Sequence, residues 1–544
     1  MNPKLLASSI IAIFIMFGAV SGSVSAIEQT VGLQLHTEES YEGYTLFSPN
    51  SYNFTYLIDN DGQLVHSWEH QTSTRMSIYL REDGLLLKTA IGGEEFGLNG
   101  AGVGGTIQLI DWDGNIVWEY LHADSTYRQH HDVEPLPNGN ILVLAWEKFS
   151  PDEAIAAGRD STLLTDGELW AEHVYEIEPI IGTDSVNIIW EWHVWDHLIQ
   201  EHDSTKENFG VVYDHPELID LNYPSDGQNP GRADWLHFND VAYNPVLDQI
   251  LVSSNRNSEI LIIDHSTTTI ESAGHSGGNS GKGGDILFRW GNPQTYQRGD
   301  STNQRLYGTH DGYWIPQGYP GAGNLLLFNN GFLRPEGNYS SIEEFAPPID
   351  SNGNYLLLPD QAYEPDSADW TYISDIPTDF YSSRISGMQR LQNGNTLICS
   401  GMNGRIFEIN NLGTIVWEYI NPVTASGPNI QGEELASSNQ LFRAERYPLD
   451  YPAFIGRDLL PEGYVEIYPP CCLNFRGNVN ADENDIIDIS DLVFFVDYSF
   501  GGSGIEPECL EEADVDASTI LDIGDLVYLV EYMFDSGPEP VTCP

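Results

Sequence analysis

The sequence predicts an all-β, six-bladed β-propeller followed by a small helical domain with acid-rich loops. Three observations carry that prediction. Between about residues 30 and 465 an alternating apolar run ending in tryptophan recurs behind an Asp, Asn or Gly turn, as in "LIDNDGQLVHSWEH", "LIDWDGNIVWEY" and "EINNLGTIVWEY". Ahead of most of these stands a second hairpin with its own turn, as in "LREDGLLLKT", "PLPNGNILVLAW" and "RLQNGNTLICSG". After "EIYPPCC" the pattern gives way to two related acidic segments, each running into an apolar stretch.

Taken in order, the chain opens with Lys4, an apolar run from about Ile10 to Val20, and the small residues Val24, Ser25 and Ala26. This predicts a signal peptide over residues 1–26, cleaved after Ala26. The run is short for a bilayer span, and no other segment is long and apolar enough to be one. A secreted protein, periplasmic or extracellular, is therefore expected. The hairpins that follow, over residues 27–468, are read from Asp-Gly and Asn-Gly pairs, which supply the positive φ of tight turns between strands. Trp68, Trp118, Trp190, Trp290, Trp370 and Trp417 mark six four-stranded units, with long loops at 148–172 and 194–230 and an insertion in the outer hairpin of the Trp370 unit. Such units bury both faces only against their neighbours, which is the logic of a propeller. A β-sandwich would not explain six recurrences.

Charge and cysteine narrow the function classes. With 81 acidic against 22 basic residues the formal net charge is −59, which excludes nucleic acid and anionic lipid as natural partners. Such a surface suits solubility in a salty medium, where screening is short-ranged. Cys399 stands alone in the apolar "TLICSG" and reads as a buried spectator, while Cys471, Cys472, Cys509 and Cys543 predict one or two disulfides in the C-terminal segment.

The innermost strand of each blade lines the central channel, so a residue's distance from the following turn sets its height. Counting back eight residues from Gly139, Pro245 and Gly318 reaches His131, His237 and His310. The same step from Gly394 reaches Ser386, and from Gly84 it reaches Met76. His130, one residue out of phase, is expected to face the other side of its strand. Arg256 in "SSNRNSEI" and Arg334 in "NNGFLRP" are expected near the same channel mouth, where a guanidinium fork among neutral imidazoles suits a sulfate or phosphate group. Asn239 adds an amide two residues after His237. A zinc site is the chemical rival, but no HxH or HxxxH spacing among these three histidines favours it and the arginines would repel a dication.

These motifs, "HHDVEPLPNGN", "WEWHVWDHL", "DWLHFNDVAYNP", "SSNRNSEILIID", "GTHDGYWIPQG" and "LLFNNG", resemble the arylsulfotransferase family, whose members use no nucleotide sulfate donor. The resemblance covers most of residues 30–465 and implies a six-bladed propeller. It also implies a transferase moving a sulfuryl group from an aryl sulfate to a phenol, with no cofactor for catalysis. His310 would be the nucleophile that forms a sulfohistidine in a ping-pong cycle. His237, Asn239, Arg256 and His131 would hold the sulfuryl oxygens, and one of the other histidines would serve as acid and base. Arg334, His130 and Ser386 are further substrate-binding candidates, with Arg384 beside Ser386 in "YSSRISGMQR". The β-sandwich of longer family members has no room here, and a monomer is expected. A catalytically silent propeller that binds sulfated or phenolic ligands is the alternative.

Residues 469–544 carry "NVNADENDIIDISDLVFFVDYSF" and "DVDASTILDIGDLVYLVEYMF". The second segment puts Asp514, Asp516, Ser518, Asp522 and Asp525 at positions 1, 3, 5, 9 and 12 of an EF-hand-type calcium loop. The first offers Asn478, Asn480, Asp482, Asp488 and Asp491, with two extra residues in the loop. Glu483 and Thr519 stand where position 6 favours glycine. The pair resembles a type I dockerin, which implies bound calcium and a cohesin-like protein partner.

Overall fold

The computed structural model describes residues 29–543 apart from 51, 225–230, 351–352, 470, 473, 483–485, 502–505 and 508. The predicted signal segment and Glu483 lie outside the described residues. The chain divides into two compact units, Gln29–Ile467 and a C-terminal unit from Tyr468 onward.

The first unit is a six-bladed propeller of antiparallel sheets. Blades 2 to 5 each run from the channel outward in chain order, beginning with the inner strands Thr74–Leu80, Tyr127–Pro135, Phe238–Asn244 and His310–Trp314. Blade 6 begins at Gly387–Arg390 and gains a fifth, outermost strand from the N-terminus, Gly32–His36. Blade 1 is completed from the other end of the chain. Its inner strand is Leu441–Pro448, paired with Gly43–Pro49, so the closure holds both ends of the unit in one circle.

The recurrent tryptophans explain why one pattern repeats. Each sits on its blade's fourth strand and donates its indole N–H to the neighbouring blade: Trp68 to the Asp111 carbonyl (3.2 Å), Trp118 to Ser185 (3.2 Å) and Trp417 to Asn60 (2.7 Å). Trp190 reaches Thr267 (3.0 Å), and Trp290 reaches Pro365 (2.7 Å) inside the predicted insertion of blade 5. Trp370 is the exception, half-buried and stacked instead beneath Arg390 of blade 6. The apolar side chains follow the same logic, clustering between successive blades, as with Leu109, Trp118, Val143 and Tyr175 between blades 2 and 3. Cys399 is buried and unpaired, and burial pushes its thiol up.

The C-terminal unit holds helices Ile489–Val496 and Ile523–Phe534, stapled by Cys471–Cys509 and Cys472–Cys543. Among the described residues no helix is long and apolar enough to cross a membrane.

Candidate active site

Three aspartates fix the levels of the inner strands. Asp132 accepts the Val241 N–H (3.3 Å), Asp240 the Gly312 N–H (2.9 Å) and Asp311 the Met388 N–H (2.8 Å), each carboxylate tying one inner strand to the next. Arg443, from the closing strand, enters this ring and meets Asp132 at 2.8 Å, Asp240 at 2.5 Å and Asp311 at 3.4 Å. Ser77 of blade 2 also bonds Asp132. The blade 6 position must be glycine: a Cβ on Gly387 would lie 2.5 Å from Asp311 Oδ2 and 2.9 Å from Arg443 Cγ. Burial pulls the Arg443 pKa down, but the three aspartates outweigh it and hold the group well above its ordinary value. Burial pushes Asp240 and Asp311 up despite the guanidinium. The motifs contain these aspartates, but no local pattern in the sequence marks a role for them or for Arg443.

The histidines form the next layer. His131 and His310 directly precede their ring aspartates, and in blade 4 that place belongs to Asn239. Counting from the turns therefore overstates the register of His237, because Pro245 is the first residue of its turn, whereas Gly139 and Gly318 are each the fourth residue beyond their strand. His237 joins the layer from two residues earlier by adopting a left-handed backbone, φ 53°. Its ring meets that of His131 edge to face, with centroids 4.6 Å apart. Bulges on the inner strands permit this, as the register shifts beside Asp132, Asn239 and Asp311 show.

His130 departs from its expected orientation for the same reason. The positive φ of His131 (47°) suspends strand alternation, and the Nδ1 atoms of His130 and His131 approach to 2.9 Å. His130 stacks on Trp146, and its Nε2 lies 2.9 Å from the buried Glu172. The result is a buried chain, Glu172 to His130 to His131. A second dyad flanks it: the Asp234 carboxylate makes a short hydrogen bond with His237 Nδ1. Burial would raise Asp234, yet the His237 ring outweighs that and holds the carboxyl below its ordinary value. Glu172 goes the other way, driven well up by burial and by Asp234.

His310 is set as a neutral imidazole. Its Nδ1 faces Asn330 Oδ1 at 2.8 Å and the Gly308 carbonyl at 3.2 Å, both acceptors, so Nδ1 carries the proton. Nε2 then bears the lone pair, and the Ile385 N–H donates to it at 3.0 Å. Burial pushes the pKa values of His310 and His130 down to about 3, and that of His131 well below its ordinary value. These rings are therefore neutral at neutral pH.

The remaining candidates separate. Asn239 is fully buried, donating to the Thr309 carbonyl (3.0 Å) and accepting from Ser253. Arg256 is anchored beside His237 by backbone bonds from Asn255 to His237 and from Arg256 to Leu236 (both 3.2 Å), and its charge helps to lower Asp234. Arg334 instead lies between Tyr339 and Tyr307 and donates to Ser341. The Ser386 hydroxyl is engaged by Ser382 and the Gly401 N–H, and the exposed Arg384 points to Met402. One further contact went unread: Gly102, at φ 77°, passes so close over His131 that a Cβ there would lie 2.0 Å from Cε1. A cavity of about 1350 Å³ opens at the opposite, turn-side mouth and is lined by Glu134, Asp240, Asp311, Arg443 and Glu445 but by no histidine.

In the C-terminal unit, carboxylate oxygens of Asp514, Asp516 and Asp525 lie within 4.8 Å of one another, a donor set that fits a hard cation. Asp522 caps the following helix and Asp525 closes the capping box, aiming its other oxygen back at the Asp516 N–H. Arg476 competes for Asp514 at 2.8 Å. The first loop is folded on itself by side-chain amides: Asn478 Nδ2 donates to the Asp482 carbonyl and Asn480 Nδ2 to Ser490. Asp488 and Asp491 repeat the capping box.

Comparisons bear on this geometry. No curated protein matches the chain. Among solved structures it is similar to a protein of unknown function from Bacteroides caccae, at 12% identity and a TM-score of 0.39 over 74% of this chain and 98% of that one. It is also similar to a virginiamycin B lyase from Staphylococcus aureus, at 13% identity and a TM-score of 0.32 over 74% and 87%. The family model for Arylsulfotransferase (ASST) matches residues 30–424, a span that takes in every histidine of the channel layer and most of the propeller that holds them, so the chain belongs to the arylsulfotransferase family.

Proposed function

We propose that the protein is an exported aryl sulfotransferase in which His310 carries the sulfuryl group. The observation that carries this reading is the neutral, buried His310, with Nδ1–H directed at Asn330 and Nε2 left as the nucleophilic lone pair. In the first half-reaction Nε2 attacks sulfur, an N–S bond forms, and the S–O bond to the phenol breaks. The ring becomes a sulfoimidazolium whose Nδ1–H stays hydrogen-bonded to Asn330 and Gly308. The departing phenolate takes a proton from His237, whose imidazolium is stabilised by the Asp234 carboxylate. An acceptor phenol then returns that proton to His237, its oxygen attacks sulfur, the N–S bond breaks, and neutral His310 is restored. His131, Asn239 and Arg256 face the sulfuryl oxygens, where donors matter most as charge shifts in the transition state.

One contact sets a condition on the cycle. The Ile385 N–H occupies the Nε2 lone pair, so sulfuryl transfer requires that hydrogen bond to break. It is also what favours the second reading, a silent propeller that binds sulfated or phenolic ligands. A chromogenic aryl sulfate separates the two. Catalysis predicts phenol release that rises with added acceptor, and a sulfuryl adduct on His310 seen by mass spectrometry. If wild type and His310→Ala behave alike, the assignment fails. Release that ignores added phenol points to water as the acceptor.

The C-terminal unit is a dockerin-like module that binds calcium through Asp514, Asp516 and Asp525 and attaches the enzyme to a cohesin-like partner. Chelation lowers the melting temperature of this unit and leaves tryptophan fluorescence unchanged, since all 13 tryptophans precede residue 468. An Asp525→Ala chain that still gains stability from calcium refutes the site.

A further inference from the structure

The outer strands of blade 3 carry a second group of imidazoles that the channel does not use. His173, on Leu169–Pro179, lies directly opposite His193, on Val186–His193, and their rings stack with centroids 4.0 Å apart. Glu191 precedes His193 by two residues and so shares its face. Glu191 Oε2 lies 3.3 Å from His193 Nε2 and 4.0 Å from His173 Nε2. One ligand atom from each of the three side chains falls within 4.8 Å of the others.

A second observation points to a ligand. The His173 side chain is only 9% exposed, yet neither of its ring nitrogens has a hydrogen-bond partner. A buried polar group left without a partner is destabilising, so a group that would fill that place is expected. The neighbouring His122 Nε2 and Tyr175 Oη also lack partners, with the His122 and Tyr175 rings 4.3 Å apart and those of His173 and Tyr175 4.9 Å apart. A comparable cluster, His197, His275 and Asp285, shows the contrast. There His197 is satisfied on both edges, by Asp285 at 2.9 Å and by the Ser272 carbonyl at 2.8 Å.

We infer that His173, Glu191 and His193 form a binding site for a divalent transition cation, distinct from the channel. Two imidazoles and one carboxylate select a borderline cation such as zinc over the oxygen-seeking calcium and magnesium. His193 already has the support such ligands use: its Nδ1 meets Glu147 Oε2 at 2.9 Å, which orients the ring and leaves Nε2 for the metal. Metal bonds near 2.0–2.2 Å place donors about 3.3 Å apart, so the group closes by about an ångström on binding. Glu191 and His193 are half-buried, leaving an approach for the ion and a place for water. The surplus of acidic residues raises the local concentration of cations.

The test uses the full chain without a polyhistidine tag, stripped with chelator, dialysed, and titrated with Co2+ in saturating calcium. The expected result is a visible d–d absorption band that saturates at about one equivalent and is displaced by Zn2+. His173→Gln and His193→Gln each weaken binding at least about tenfold, and Glu147→Gln about 10–100-fold. His275→Gln leaves binding unchanged. Metal-free melts establish that each variant folds; Glu191→Gln, at a half-buried position, replaces any that does not. Absence of the band in wild type, undiminished Co2+ affinity in a folded His173→Gln or Glu191→Gln chain, or loss on His275→Gln alone overturns the proposal.

Discussion

Replacing Arg443 with methionine tests whether the aspartate ring is held by charge. The side chain is 9% exposed, and its partners Asp132, Asp240 and Asp311 are 0%, 1% and 9% exposed, so solvent does little to screen them. Removing one partner of a buried ion pair costs about 3–5 kcal/mol, because the remaining charge stays buried without compensation. Three carboxylates would cost more if all stayed ionised. They escape by taking up protons, a course that Asp240 and Asp311 already begin through their raised pKa values. A carboxyl whose folded pKa lies above its unfolded value contributes stability at low pH and loses it as pH rises through the folded value. Loss of Arg443 raises those values further, so the cost should be largest at pH 8 and smaller at pH 5. Guanidinium unfolding followed by tryptophan fluorescence reports on the propeller alone. A cost below about 1 kcal/mol at pH 8, or one equal at both pH values, refutes the reasoning.

Two further substitutions probe the histidine layer and the blade seams. Gly102→Ala drives a Cβ to within 2.0 Å of His131 Cε1 at φ 77°, so His131 must shift; a displacement near an ångström predicts about a 100-fold fall in kcat/KM for aryl sulfate. An activity within twofold of wild type would place His131 outside the reaction. Trp118→Phe removes the bond to the Ser185 carbonyl between blades 2 and 3 and should cost about 2 kcal/mol in guanidinium unfolding. Trp370→Phe, at a half-buried indole with no such bond, should cost less than half as much, and equal costs would show that the indole bonds do not set blade cohesion.

The blade count was legible because the tryptophan on each blade's fourth strand does one physical job six times. Its ring fills the seam and, in five blades, its N–H bonds across it, so position, turn and residue type recur together. Blade 1 was legible only in part. Its inner strand, "LFRAERYP", arrives from residues 441–448 after a long connection, carries no tryptophan and precedes no turn into its neighbour. A strand completed from the far end of a chain leaves no local period, because the partner that defines it is hundreds of residues away.

That same strand hides the centre of the site. The turn count points to His131, His237 and His310, and the same stretches offer Asn239 and Arg256, but neither gives a reason for the residue that follows three times: His131–Asp132, Asn239–Asp240, His310–Asp311. The repetition is a signal, since three aspartates on three channel strands stay ionised together only if a cation joins them. Among 22 basic residues, the cation had to come from an inner strand that supplies no aspartate. Blade 2 offers Ser77 and blade 6 offers Gly387 at that level, which leaves the closing strand. Arg443 therefore follows from charge balance rather than from local pattern. By meeting aspartates from blades 3, 4 and 5, it ties the strand that closes the circle to the strands that carry the histidine layer.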